Sequence, residues 1–426
     1  MLSDSIGVKI YIGGCIKIMK PFKYKLIAVL LIFFILSPVF ISSFIPLAHS
    51  ADVTTSSNNN TKSSWLKGIL LIILSYIINN YVEEYPKESG IEHRLGSQPL
   101  KEENVDNNFE SEKNSKREVL GFYVNWLTNY SNSYHSLQKN HNKIDMVAPF
   151  WYTVNPDGSI ESRYGGHQYE VTSLAQNKNL KVLPLINNNQ KNNMILVNPE
   201  TRNRAITNIV NLVNRNNYQG VNIDFENIPS WTRDGYTKFI KNLSHKLNKH
   251  DKILTISVFP KIDLPLSIHG AYDYEALNPY IDKMVIMTYD NHWSTGSPGP
   301  ISPLPWVEDN IIYALEYIPP QKLLLGIANY GYDWPANGIG KAISTKKAIK
   351  LAQKYERKIK WDQSSHSPYF NYWDSEGIKH DVWFENSYSL KYKLNLVNKY
   401  NLGGIGIWRL GNATNKFWEM IKEKIK

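Results

Sequence analysis

Asn222, Asp224 and Glu226 occupy alternate positions in the run YQGVNIDFENIP, residues 218–229. The run has the apolar content of a buried strand. Side chains of a strand alternate between faces, so these three share one side, and Val221, Ile223 and Phe225 share the other. The apolar side suits packing beneath helices. Three polar groups on the opposite side are costly inside an ordinary core. A row of three that ends in a glutamate at the strand tip instead points to a functional site, because carboxylates with perturbed proton affinity cluster at such sites.

Such a row needs a frame. From Glu118 onward, β-rich runs alternate with amphipathic helical stretches. Strands are predicted at 118–126, 146–154, 180–188, 220–226, 253–260, 283–290, 322–330 and 403–410. The clearest helical spacing lies at 199–216 and 234–250. Eight strands with intervening helices over about 300 residues predict an α/β fold, a (β/α)₈ TIM barrel. A doubly wound sheet lacks support, because no Gly-rich phosphate loop follows the first strand. In a barrel the chemistry sits at the C-terminal ends of the strands. Glu226, Asp290 and Trp408 all fall at or near such ends. About 70 residues separate the seventh strand from the eighth. They hold a helical pattern at 345–358 and a hairpin pattern at 369–385 with Ser-Glu-Gly as its turn. An α+β insertion over about 335–385, standing beside the cleft, is therefore expected.

The 426-residue chain is 42% hydrophobic and 12% aromatic, which supports a sizeable core. Tyrosine and tryptophan are abundant, a mild pointer to the stacking of sugar rings, but composition alone favours core and surface bulk. The formal net charge is +10. It suits retention on an acidic matrix. No compact basic run beside a reading helix marks a nucleic-acid partner. The single cysteine, Cys15, excludes a disulfide framework within the chain and a cysteine zinc site, and the histidines show no ligand spacing. Neither a metal nor a cofactor is expected.

The front of the chain has the layout of export. From Met19, a second candidate start, Lys20, Lys23 and Lys25 precede an apolar run, Leu26 to Leu36. Pro38, small residues and AHS follow. Residues 1–50 are read as a signal peptide or membrane anchor. Residues 51–117 are read as a linker carrying a short apolar segment, 65–81, and residues 118–426 as the barrel. The expected location is secreted or on the cell envelope, including the spore. The apolar segments leave membrane association open, and the oligomeric state is not legible.

Several phrases together bear a resemblance. GVNIDFE, MTYD at 287–290 and a Trp in the last strand resemble glycoside hydrolase family 18, across residues 118–426. PFWYTV, GIANYGYDW, SPYFNYWDSEGIKHDVWFEN and GGIGIWRLG are closer to its spore-germination branch, N-acetylglucosaminidases that act on cortex peptidoglycan fragments. The family's D-x-x-D-x-D-x-E is altered here, with Gln219 and Asn222 at the first two acidic positions. The resemblance implies a substrate-assisted retaining mechanism, in which the N-acetyl oxygen of the sugar attacks C1. It implies that Glu226 is the acid and then the base. Asp224 would hold the acetamido N–H, and Tyr289 would donate to its oxygen. Trp408 would lie under the reacting sugar, with Asp290, Asn222 and Tyr123 as supporting substrate contacts. The implied partner is a cell-wall glycan containing N-acetylglucosamine. A chitinase with the same chemistry and a non-catalytic sugar-binding relative remain alternatives. The retained Glu226 disfavours the second.

Overall fold

The computed structural model describes residues 11–12, 15–16, 117–125, 133–163, 165–188 and 193–426. In the front segment Tyr11–Ile12 pairs antiparallel with Cys15–Ile16. The residues from Met19 read as an export signal or anchor, the apolar run 65–81 and the residues read as a linker as far as 116 lie outside the described residues.

Eight strands build the barrel: Glu118–Tyr123 (β1), Met146–Val154 (β2), Leu185–Asn188 (β3), Gly220–Asp224 (β4), Ile253–Val258 (β5), Lys283–Ile286 (β6), Leu323–Ala328 (β7) and Gly404–Trp408 (β8). Each pairs in parallel with the next, and β8 closes the ring on β1, where Ile405 meets Val119. Alternation divides the side chains. Outward residues such as Val119, Ile186, Ile223 and Ile256 pack under the helices in the main core. Inward residues Leu120, Phe122, Met146, Ala148, Leu183, Leu185, Val285 and Leu324 fill the barrel interior.

The helix Pro199–Arg215 illustrates the local logic. Asn198 caps it by accepting from the N–H groups of Glu200 and Thr201, and Pro199 takes the first turn, where no N–H is needed. Ile206, Ile209, Val210 and Val213 then bury one face.

Most of the strands are shorter than predicted, and for three of them the reason is identifiable. The run 180–188 is interrupted at Leu183–Pro184, because Pro184 has no N–H to give a ladder. Its carbonyl still accepts from Asn222 N at 3.0 Å. Strand β6 stops at Ile286. Beyond it, Thr288 N and Tyr289 N bond to Ile286 O and Met287 O, two residues back, which is the hydrogen bonding of γ-turns. Strand β4 stops at Asp224, so Glu226 lies on the loop that follows.

The insertion is a five-stranded antiparallel sheet with the helix Thr345–Lys354 against one face. Its first strand, Tyr330–Pro335, begins almost directly after β7, about five residues before the predicted start. Ser367–Trp373 and Lys379–Phe384 form the predicted hairpin. Asp374 organises its turn by accepting from the N–H groups of Glu376 and Ile378, and Gly377 supplies φ +75°.

Candidate active site

A cavity of about 220 Å³ opens at the C-terminal ends of the strands, lined by Phe122, Asp224, Glu226, Ser257, Phe259, Met287, Tyr289, Asp290 and Trp408. Strand alternation and early strand endings explain the set. Phe122 and Asp224 are inward residues near the tips of β1 and β4. Ser257 is the inward residue near the tip of β5. Trp408 ends β8, with its ring edge-on to Phe122 at 5.6 Å between centroids. Tyr289 and Asp290 follow β6 on a segment that has left the ladder, and Asp290 takes a left-handed φ of +58°. Gly326 on β7 gives the Tyr289 ring its room. A Cβ there would come within 2.4 Å of Ile286 O and 3.0 Å of the ring itself.

Asp224 and Glu226 line the same cavity, and each carboxyl influences the proton affinity of the other. Burial pushes Asp224 well above the usual carboxylate range, and the charge of Glu226 adds to the rise; the hydroxyl of Ser257 opposes it. Burial also lifts Glu226, to about 7, with the charge of Asp290 contributing in the same direction. The pair therefore holds a proton under conditions in which an exposed carboxyl would have lost it. Asp290 is itself raised by burial. The hydroxyls of Tyr330 and Tyr332 hold it back by donating to its Oδ1. Burial and the nearby carboxyl charges push the Tyr289 phenol well above its ordinary value, so it stays a neutral donor.

The structure thus brings Asp224, Glu226, Tyr289, Asp290 and Trp408 around one cavity. Two other expected contacts are not met. Asn222 lies one inward position below Asp224, fully buried beneath the cavity. Its Nδ2 donates to Thr255 Oγ1 at 2.9 Å, and its Oδ1 accepts from Ser257 Oγ at 3.2 Å. It supports the floor from below and does not line the cavity. Tyr123 is on the outward face of β1 and donates to Gln168 Oε1 at 2.8 Å. Its neighbour Phe122 takes the inward place, because adjacent strand residues face opposite ways. Sequence reasoning missed Phe122, Ser257, Phe259 and Met287. It also missed Tyr330 and Tyr332, whose alternate spacing in NYGYDW was the available signal.

Residues 118–413 match the family model described as glycosyl hydrolases family 18. A cortical fragment-lytic enzyme of Bacillus cereus is 33% identical over 285 residues, covering 62% of this chain and 66% of the relative. The cortical fragment-lytic enzyme of Bacillus anthracis is 31% identical over 291 residues, covering 65% and 67%. The chain thus spans about two thirds of the length of these curated relatives. Among solved structures, the Bacillus cereus spore cortex-lytic enzyme SleL aligns with a TM-score of 0.68 at 27% identity, over 73% of this chain and 75% of that chain. A chitinase from Chromobacterium violaceum aligns with a TM-score of 0.67 at 28% identity, over 72% and 99%.

Proposed function

From a chain that belongs to glycosyl hydrolase family 18, we propose a secreted or envelope-bound glycosidase that cleaves β-linked N-acetylglucosamine bonds in peptidoglycan, of the spore cortex or the cell wall. The observation that carries the chemistry is that Asp224, at the end of β4, and Glu226, two residues on, line the same cavity as interacting buried carboxyls. Two carboxyls carried side by side at one strand end do not flank a glycosidic bond from opposite sides. Classical retaining enzymes keep theirs roughly 5–5.5 Å apart and inverting ones about 6.5–9.5 Å. With the pair on one side, the nucleophile comes from the substrate. The acetamido oxygen at C2 attacks C1, the C1–O bond to the leaving sugar breaks, and Glu226 gives its proton to the departing oxygen.

Asp224 then accepts the acetamido N–H and offsets the positive charge of the oxazolinium ring, while the Tyr289 hydroxyl donates to the acetamido oxygen and aims it. Glu226, now ionised, takes a proton from the water that opens the ring. Trp408 and Phe122 give the sugar an apolar floor and wall. The cavity is smaller than the roughly 300–1,000 Å³ of sites for drug-sized ligands, which favours one sugar ring in it at a time.

The cortex-lytic relatives support peptidoglycan as the glycan, and the basic surface suits an acidic wall. The apolar front segment is read as the means of export, either as a cleaved signal or as an anchor. Chitin oligomers are the second reading, because the alignment spans nearly the whole of the Chromobacterium chitinase. The test is to incubate the purified protein with cortex fragments and with chitin oligomers and to weigh the products. Fragments terminating in N-acetylglucosamine from cortex are expected. Hydrolysis confined to chitin oligomers would replace the first reading with the second.

A further inference from the structure

Strand β4 ends at Asp224, yet the residue that must be placed most accurately is Glu226, two positions further on. Its backbone has no strand partner there, and buried peptide groups need partners. The side chain of Asn188, the last residue of β3, supplies them. Asn188 Oδ1 accepts from Glu226 N at 2.8 Å, and Asn188 Nδ2 donates to Glu226 O at 2.9 Å. A side-chain amide carries the same acceptor and donor as a peptide unit, so Asn188 extends the β3–β4 ladder past its end. Asn188 is 2% exposed. The neighbouring groups complete the fixing: Tyr272 donates its hydroxyl to Phe225 O at 2.7 Å, and Asn227 turns the chain away at φ +52°.

The device recurs across the barrel. Asn329, one residue past β7, accepts from Arg409 N at 3.1 Å and donates to Arg409 O at 2.8 Å. Arg409 directly follows Trp408. One amide thus closes a ring on the backbone of the acid, and a second closes a ring beside the residue under the sugar. Each amide stands at or one residue past the end of its own strand and holds backbone one or two residues past the end of the neighbouring strand.

We propose that Asn188 is a positioning residue that fixes the place from which Glu226 delivers and recovers its proton, and that Asn329 does the same for the Trp408 platform. The inference rests on the glycosidase reading for its kinetic consequences, but the clamp itself is a property of the folded protein. A glutamine or aspartate cannot reproduce it. Glutamine adds a methylene, which displaces the amide. Aspartate keeps the acceptor for Glu226 N–H but sets a carboxylate oxygen against Glu226 C=O.

The test compares Asn188→Ala, Asn188→Asp and Asn329→Ala with the unaltered protein, on the substrate that the unaltered protein cleaves. Displacement of a reacting group by about 1 Å costs on the order of a hundredfold in rate. Asn188→Ala should therefore lower kcat by about that factor, leave KM within about threefold, and shift the alkaline limb of the pH–rate profile. Asn329→Ala should act mainly on KM. Asn188→Asp should move the same limb to higher pH, because an added negative charge disfavours ionisation of Glu226. A parallel measurement follows the Glu226 carboxyl by carbon NMR as pH is raised, using Glu226→Gln to assign the signal. It needs no turnover, so it tests the clamp even if every glycan is refused. Lower thermal stability in Asn188→Ala with kcat, KM and the Glu226 titration unchanged would reduce Asn188 to a structural residue and overturn the proposal. If the alanine variant does not fold, Asn188→Gln, which keeps the charge and displaces the amide, decides: kcat and a Glu226 titration both unmoved in that variant overturn it equally.

Discussion

The hydroxyl of Tyr330 donates to Asp290 Oδ1 at 2.6 Å, and the hydroxyl of Tyr332 reaches the same oxygen at 3.1 Å. The strand that leaves the barrel to begin the insertion sheet therefore holds a carboxylate at the end of β6. That carboxylate helps set the proton affinity of Glu226 through its charge. The insertion is thereby coupled electrostatically to the acid it stands beside.

Tyr330→Phe removes the shorter of these bonds while keeping the ring that packs edge-on against Tyr289. Asp290 then holds its own proton to higher pH, and less negative charge acts on Glu226. Glu226 should ionise earlier, moving the alkaline limb of the pH–rate profile to lower pH. Turnover at neutral pH should fall by about tenfold, the weight of one hydrogen bond to a charged group. An alkaline limb that stays in place in Tyr330→Phe would show that Asp290 does not set the titration of the acid.

Glu226→Gln is nearly isosteric and cannot give up a proton. General acid–base catalysis is worth about 10²–10⁴-fold, so turnover should fall into that range or below it. Sugar binding and thermal stability should be largely retained. Calorimetric titration with a glycan oligomer, beside a turnover assay, checks both. Activity above a few per cent of the original would remove Glu226 from the role of acid.

The raised proton affinity of Glu226 also makes a statement about stability. Its ionisation is lifted from an ordinary 4.5 to about 7 on folding. Between those values the folded chain binds more protons than the unfolded chain, so this group makes stability fall as pH rises across that window and has no further effect above it. Asp224, raised in the same direction, adds to the trend. Denaturant midpoints measured from about pH 4.5 to 7.5 should show a smaller alkaline decline in Glu226→Gln than in the unaltered protein. Equal declines would mean that the acid is not held in a proton-retaining environment.

Much of this arrangement was legible in the sequence, because barrel strands are short apolar runs and the inward side of β4 carries polar groups at every second residue. What alternation cannot fix is phase and depth. Phe122 and Tyr123 are adjacent rings in one strand, and only closure of the barrel decides which of them faces inward. Asn222 shares a face with Asp224 but lies two residues lower, a drop of about 6–7 Å at the rise of a strand, which takes it below the cavity. The clamps escaped for a different reason. Asn188 and Asn329 act on backbone atoms of residues far away in the chain, so neither has a partner of complementary type to betray it. The tyrosines on Asp290 belong to an insertion whose direction of approach follows from tertiary packing alone.

The acetamido group of the substrate gives the most discriminating test. If the nucleophile is the substrate's own N-acetyl oxygen, a sugar without that group has nothing with which to attack C1. Neither Asp224 nor Glu226, side by side at the end of β4, can replace it from the opposite side, and Asp290 is engaged by two tyrosine hydroxyls. Hydrolysis should therefore drop by orders of magnitude when an otherwise good substrate is de-N-acetylated. A thiazoline analogue of the cyclised intermediate should inhibit far below the concentrations at which substrate binds, since it carries the shape and charge that Asp224 and Tyr289 are arranged to hold. Two successive displacements at C1 return the original configuration, so proton NMR of the first product from a β-linked N-acetylglucosamine oligomer should show the β-anomer. An initial α-anomer would mean a single displacement by water. It would require a base on the far side of the sugar, where the Asp224–Glu226 pair does not reach, and the roles assigned to Asp224 and Tyr289 would fall with it.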